Sequence, residues 1–234
     1  MKSHSQKVEQ TVVKLQGLLR KNTSGLSLST YASLVRTTKT VEKWKSINFL
    51  SPEEITKILR LAYSRSKRDH LMILLAYRHG LRASEVCNLK TTDIRHGAVT
   101  VKRLKGSKCT TQELDGHRGA PLLNEVRCLA DYLQERPRHS GEVLFPSNKG
   151  GALSAKSFNF LFKQYALAWG IDPRKCHPHI LKHSLGNHLT RAGLPLSYVQ
   201  QRLGHASISS TQHYQDIADQ ESDEKTRNAL MEIF

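Results

Sequence analysis

Four polar residues in the last third of the chain, His179, Lys182, His205 and Tyr214, follow one another in an order suited to a single chemistry, with Arg82 far upstream. They lie in the stretches HPHILKHSLGNHLTRAG and LGHASISSTQHY. Phosphoryl transfer at a diester needs a positioned nucleophile, cations for the nonbridging oxygens and an acid for the leaving oxygen. Tyr214 has the type of the first, and the arginine, lysine and histidines have the types of the others. A free phenol titrates near about pH 10, so it attacks at neutral pH only beside positive charge or a base. On a helix starting at Pro178, His179, Lys182 and His183 share one face, because residues three and four apart are neighbours there. His205 then falls at the turn after Leu203 and Gly204.

Each residue alone has a plainer reading. Taken alone, Tyr214 reads as an ordinary half-buried aromatic, Arg82 as half of a surface ion pair, and His183 as a hydrogen-bonded interior histidine rather than a reactant. His179, His183 and His188 lack the HExxH pattern and a nearby carboxylate, so no zinc site is expected.

The elements that must position these groups are mostly helical. Ser51, Pro52, Glu53 and Glu54 form a helix start, with Ser51 as cap, Pro52 at the first position, Glu54 closing a capping box, and Leu50 with Ile55 as a staple. Further helices are expected over Asp69–His79, with Gly80 as a stop, over Ala83–Leu89, Glu125–Glu135, Ala155–Trp169, Pro178–Ala192 and Leu196–Leu203, and over Ser207–Gln215. Between them Ala98–Leu104 alternates as a strand, a polar connection runs from Lys105 to Gly116, and Gly119–Leu123 is expected to return as its partner. The fold class is therefore mostly α with a small antiparallel β-sheet (α+β). Ahead of this domain, residues 1–46 read as a short basic arm with two helices, near residues 5–20 and 29–45, that packs on a neighbour or tracks DNA. After it, residues 221–234 read as a final helix whose Ala229, Leu230, Ile233 and Phe234 form an apolar edge wanting a partner surface.

Composition narrows the class of partner. The 234 residues suit one substantial domain with an appendage, and 36 Lys and Arg against 20 Asp and Glu give a net charge of +16. An excess of that size points to a polyanion, first to nucleic acid. Cys87, Cys109, Cys128 and Cys176 form no CxxC pair, which argues against a zinc ribbon or a disulfide scaffold and fits a reducing compartment. There is no apolar run of about 18 residues and no signal-peptide core in MKSHSQKVEQ, so a cytoplasmic protein without membrane contact is expected.

The stretches HGLRASEVCNLK, HPHILKHSLGNHL and LGHASISSTQHY resemble the catalytic domain of the tyrosine recombinases, the phage-integrase family, over about residues 47–220. HGLRASEV, VKRLK and HPHILKHS look most like the short recombinases that invert promoter DNA for fimbrial phase variation. The resemblance implies a tyrosine recombinase catalytic-domain fold and site-specific recombination of double-stranded DNA, with no metal or nucleotide cofactor. Four protomers would synapse two sites, the C-terminal helix docking on a neighbour. It carries the catalytic roles over by position. Arg82 matches the first arginine on the scissile phosphate, and Lys105, after the strand VKRLK, the general acid toward the 5′ oxygen. His179 and His205 match the two site histidines, and Tyr214 the nucleophile that forms a 3′-phosphotyrosyl link. Lys102, Arg103 and Lys108 are expected on the DNA.

Two departures qualify these roles. Lys182 stands where the family has its second arginine, and a lysine offers a point charge in place of a planar fork. Losing one preorganised donor commonly costs about 2.7–4 kcal/mol of transition-state stabilisation, or roughly two to three orders of magnitude in rate. The long connection from Gly106 to Arg118 also leaves Lys108 as an alternative to Lys105. The second reading is accordingly a DNA-binding protein of recombinase fold whose catalysis is weakened or lost. A third is a structural or protein-binding domain whose charge is incidental.

Overall fold

The computed structural model describes residues 49–103, 109–116, 120–137, 141–216, 218, 219 and 222. The expected arm helices, Lys105, Lys108 and nearly all of the final helix lie outside the described residues.

The first helix, α1 (Pro52–Arg65), starts as its sequence dictates. Ser51 Oγ accepts from the Glu54 N–H at 3.2 Å, and Glu54 Oε2 accepts from the Ser51 N–H at 2.8 Å. Ser66 ends α1 and caps α2 (Lys67–Arg78) in turn, accepting from the Asp69 N–H at 3.2 Å. Helix α2 is buried through the whole run Asp69–Ala76, because α1 lies on one side of it while α4 (Glu125–Glu135) and α6 (His179–Arg191) cover others. A helix buried on all faces belongs at the centre of a domain, and α2, apolar from Leu71 to Ala76, is the axis of this one.

Gly80 ends α2 in the left-handed region, and Arg82 then caps the short helix α3 (Ala83–Cys87). The sheet follows as β1 (Ile94–Arg95), β2 (Ala98–Val101) and β3 (Thr110–Glu113), antiparallel in that order. β1 and β2 join through His96 and Gly97, both at positive φ, as a two-residue hairpin turn requires. The register sets Val99 opposite Gln112 and Val101 opposite Thr110. Val99, Val101 and Gln112 are buried, whereas Lys102 and Glu113 are exposed.

After α4 come α5 (Ala155–Ala168), α6, α7 (Leu196–Leu203) and a last helix, α8, over residues 209–216. One core unites α1 to α6 and the sheet through residues such as Leu50, Ile58, Leu71, Val99, Phe158 and Ile180. A smaller cluster of Leu185, Val199, Leu203 and Tyr214 joins α6, α7 and α8. No helix among the described residues is long and apolar enough to cross a membrane.

The mostly helical expectation with a small antiparallel sheet holds, and the helix bounds differ by a residue or two. The sheet needs correction. The partner of β2 is Thr110–Glu113, inside the connection expected to be a polar loop, and Pro121–Leu123 is a 3-10 turn. TTQE shows no apolar alternation because its inward residue is Gln112, which is paired by hydrogen bonds rather than by apolar packing.

Two glycines separate backbone strain from crowding. Gly97 (φ 73°) has open space where a Cβ would go, whereas a Cβ on Gly80 (φ 58°) would lie 2.7 Å from a Leu203 methyl. Gly97→Ala should cost about 1–2 kcal/mol from the left-handed backbone alone. Gly80→Ala should cost a further 1–3 kcal/mol, approximately, from overpacking. Urea denaturation of the two variants checks this, and equal losses would refute the close approach of α7 to the end of α2.

Candidate active site

Three stretches distant in sequence build the site: the α2–α3 turn, the first turns of α6, and the segment from the end of α7 into α8. A buried ion pair joins the first to the sheet and to α7. Glu85, on α3, accepts from the Arg82 N–H at 2.9 Å and from Arg103 Nη1 at 3.1 Å through Oε2, and from Arg82 Nη1 at 2.8 Å through Oε1. Burial pushes the Glu85 carboxyl up, but the hydrogen bonds from Arg82 and the charges of Arg103 and Lys182 outweigh it, and it stays below the ordinary range.

Arg103, expected on the DNA, is instead buried: its side chain has no exposed surface. Its guanidinium donates to the carbonyls of His79 (2.8 Å), Gly80 (2.9 Å) and Arg202 (3.2 Å) as well as to Glu85. The inward alternation of β2 continues to this position and sends the chain into the interior. Gly204 makes room for it, since a Cβ there would lie 2.7 Å from Arg103 Nε. Lys102, one residue earlier, is exposed.

Lys182 is buried in α6 at 2% exposure, and its Nζ donates to the Leu203 carbonyl at 2.5 Å. That bond ties α6 to the end of α7. Burial, and then the charges of Arg103 and Arg82, bring its pKa down from 10.5 to about 7. His179, exposed at the start of the same helix, is held below the ordinary imidazole range by partial burial and then by Lys182, His177 and Arg82. His205 follows the left-handed Gly204; its Nδ1 pairs with Thr211 Oγ1 at 2.9 Å, and burial with Lys182 and Arg82 lowers it to about 4. These mutual effects place Arg82, His179, Lys182 and His205 within one electrostatic neighbourhood.

Tyr214 completes it from α8, at 1% exposure. Its ring lies on Gly186, where a Cβ would come within 2.6 Å, and against the His213 ring at 3.8 Å between centroids. Its hydroxyl pairs with His183 Nδ1 at 3.1 Å, and burial holds the phenol well above its usual pKa. Glu85 and the His183–Tyr214 pair were not in the expected site. The first was legible as an acid three residues after Arg82 in a capping-box spacing; the second required knowing where α8 crosses α6. His188 diverges from His179 and His183 and pairs with the Tyr77 hydroxyl at 2.8 Å.

The profile of the phage integrase family matches residues 48–221. The chain belongs to the phage integrase family. Among its relatives is the tyrosine recombinase XerA of Pyrococcus furiosus, 37% identical over 70% of this chain and 56% of its own length. Another is the type 1 fimbriae regulatory protein FimB of Escherichia coli K12, 34% identical over 73% of this chain and 84% of its own. The expected likeness to fimbrial recombinases has its counterpart there. A crystal structure of XerA recombinase superposes with a TM-score of 0.62 at 25% identity, over 76% of this chain and 63% of that one. The fold is thus that of integrase-family catalytic domains, although the chain spans little more than half the length of the XerA relative.

Two measurements probe the buried cations of this integrase-family site. Arg103→Leu removes one of the two arginines on the buried Glu85 and the donor to several interior carbonyls, and should cost about 3–5 kcal/mol in chemical denaturation. A loss below about 0.5 kcal/mol, the range of ordinary surface changes, would contradict its burial. Lys182 releases its proton near pH 7 when folded, whereas an unfolded lysine keeps it to about 10.5. The unfolded chain therefore binds more protons between those values, and this residue's contribution to stability rises with pH across that window. Relative to Lys182→Met, the parent should gain about 2 kcal/mol between roughly pH 6.5 and 9. Parallel pH dependences in the two proteins would mean that the amine stays charged.

Proposed function

We propose that this chain cuts and rejoins double-stranded DNA at specific sites through a 3′-phosphotyrosyl intermediate on Tyr214. The observation that carries the reading is the meeting of Arg82, His179, Lys182 and His205 with the helix that bears Tyr214, from three separate stretches of an integrase-family domain. Arg82 and the histidines would hold the nonbridging oxygens, and Tyr214 would attack phosphorus. Lys105, or Lys108, would protonate the departing 5′ oxygen. The energy of the broken bond would be kept in the phosphotyrosyl link, so rejoining would need neither metal nor nucleotide. Lys102 and the net charge of +16 would support DNA contact in the cytoplasm.

In this reading residues 47–220 form the catalytic domain, residues 1–46 a basic arm, and residues 221–234 a helix that docks on a neighbouring protomer in a tetramer on two synapsed sites. A second reading, DNA binding with weakened catalysis, is favoured by one observation. The Lys182 amine is engaged with the Leu203 carbonyl and loses its charge near neutral pH.

Denaturing gels of the protein with a nicked suicide duplex from its native flanking DNA separate the readings. The parent should form a covalent adduct that Tyr214→Phe abolishes, and Lys182→Arg should raise the adduct rate by about 10–100-fold by restoring the fork. Adduct formation by Tyr214→Phe would remove Tyr214 as nucleophile. No adduct from the parent or from Lys182→Arg, with binding that weakens steeply in salt, would leave only the DNA-binding reading.

A further inference from the structure

Among the described residues, the Tyr214 hydroxyl has one hydrogen-bonded partner, and it is outside the set carried over from the family. His183 lies one turn beyond His179 on α6, half-buried, with Nδ1 3.1 Å from the Tyr214 oxygen. The other nearby imidazoles are placed differently. His213 lies against the Tyr214 ring at 3.8 Å, and His205 Nδ1 is committed to Thr211. His179 stands edge-on to His183 at 4.5 Å between centroids. His183 therefore sits between the nucleophile and the exposed end of the site.

We infer that His183 is the proton acceptor for Tyr214, a further catalytic residue of the reaction proposed above. The inference rests on that reading. As the phenolic oxygen forms its bond to phosphorus, its proton passes to His183 Nδ1. The bond from phosphorus to the 5′ oxygen breaks, and that oxygen keeps the electron pair and takes a proton from the site's lysine acid or from water. In rejoining, the 5′ hydroxyl attacks the phosphotyrosyl bond and the proton returns from His183 to the phenol. Atoms and charge balance without any oxidant or cofactor.

The state of the ring suits this role. Burial, then the groups facing it from its own helix and segment (His179, His177, Lys182) and from α8 (His213), lower His183 to about 4, so it is neutral at physiological pH. A neutral ring whose Nδ1 faces a phenol accepts that hydrogen bond and carries its own proton on Nε2. Burial holds the ring neutral in the free protein, and an incoming phosphate brings negative charge beside it. That raises its proton affinity when substrate is bound, which is when a base is needed. Burial of Tyr214 makes such a partner necessary, because its pKa is displaced upward, away from the phenolate.

The test is the rate of adduct formation on the suicide duplex from about pH 5.5 to 8.5 for the parent, His183→Gln and His183→Ala. Glutamine keeps a hydrogen-bonding group without a titrating nitrogen. The ratio of parent to variant cancels any shared effect of Lys182. The expected result is a loss of roughly 10²–10⁴ at neutral pH in both variants, a magnitude typical of general-base catalysis. Their rates should climb about tenfold per pH unit relative to the parent, and added imidazole should partly rescue His183→Ala. The inference is overturned if either variant reacts as fast as the parent or faster, as a mere latch on Tyr214 would predict. It is also overturned if both are slower with the parent's pH profile and no rescue, as a packing role would predict. Urea denaturation of the variants shows whether they are folded, and were neither to fold, a parent rate rising tenfold per pH unit across the range would overturn it while one that does not rise would support it. A parent that forms no adduct sinks the recombinase reading and this inference together, whereas a reactive parent with equally reactive His183 variants sinks the inference alone.

Discussion

The Glu85 carboxylate, held between Arg82 and the buried Arg103, is the constraint on which the site depends. Glu85 and Arg103 have no exposed side-chain surface, so each has given up hydration worth several kcal/mol. Such a pair is tolerable only when nearly every donor and acceptor is used. Here the guanidinium fork reaches the Glu85 carboxylate and three backbone carbonyls, from the end of α2 and the end of α7. One side chain therefore fixes how the sheet, the α2–α3 turn and the Leu203–Gly204–His205 corner meet. Arg82 inherits its orientation from the same carboxylate. A lysine, with one rotatable ammonium, has no geometry that reaches all of these partners.

Around that anchor the site accumulates positive charge and neutral imidazoles with one carboxylate among them. Burial, and then their mutual repulsion, lower the pKa values of Lys182, His183 and His205, a state that an anion would relieve. A folded domain that holds such a cluster without its counter-charge sacrifices stability for preorganised recognition of an anionic group. Lys182 embodies the compromise: its ammonium is close enough to strengthen the field, yet it also serves as a tether between α6 and α7. The smaller core of Leu185, Val199, Leu203 and Tyr214 is assembled by the same contact between helices, so the phenol is part of the packing as well as of the site.

Much of the architecture was legible because local rules were obeyed. The Ser51–Glu54 capping box, the stop at the left-handed Gly80 and the span Leu196–Leu203, set between Pro195 and the left-handed Gly204, follow from residues that constrain the backbone within a few positions. The third strand was not legible, since Thr110–Glu113 presents a glutamine inward and borrows its stability from His79 and the Arg202 carbonyl, far away in sequence. Arg103 was misread for a related reason. A basic residue in a basic stretch looks solvent-facing until the partners that neutralise it are brought beside it.

The sequence by itself determined the family and the residue types able to act on a phosphodiester, because motif spacing and side-chain chemistry are local properties of the chain. It also determined most helices, through capping and 3.6-residue periodicity. Tertiary structure alone decided which cations face inward and which carbonyl receives Lys182. It also decided which histidine meets the Tyr214 hydroxyl. Those outcomes depend on desolvation and on distances between residues 18 or more apart in the chain, and both quantities exist only once the helices have packed.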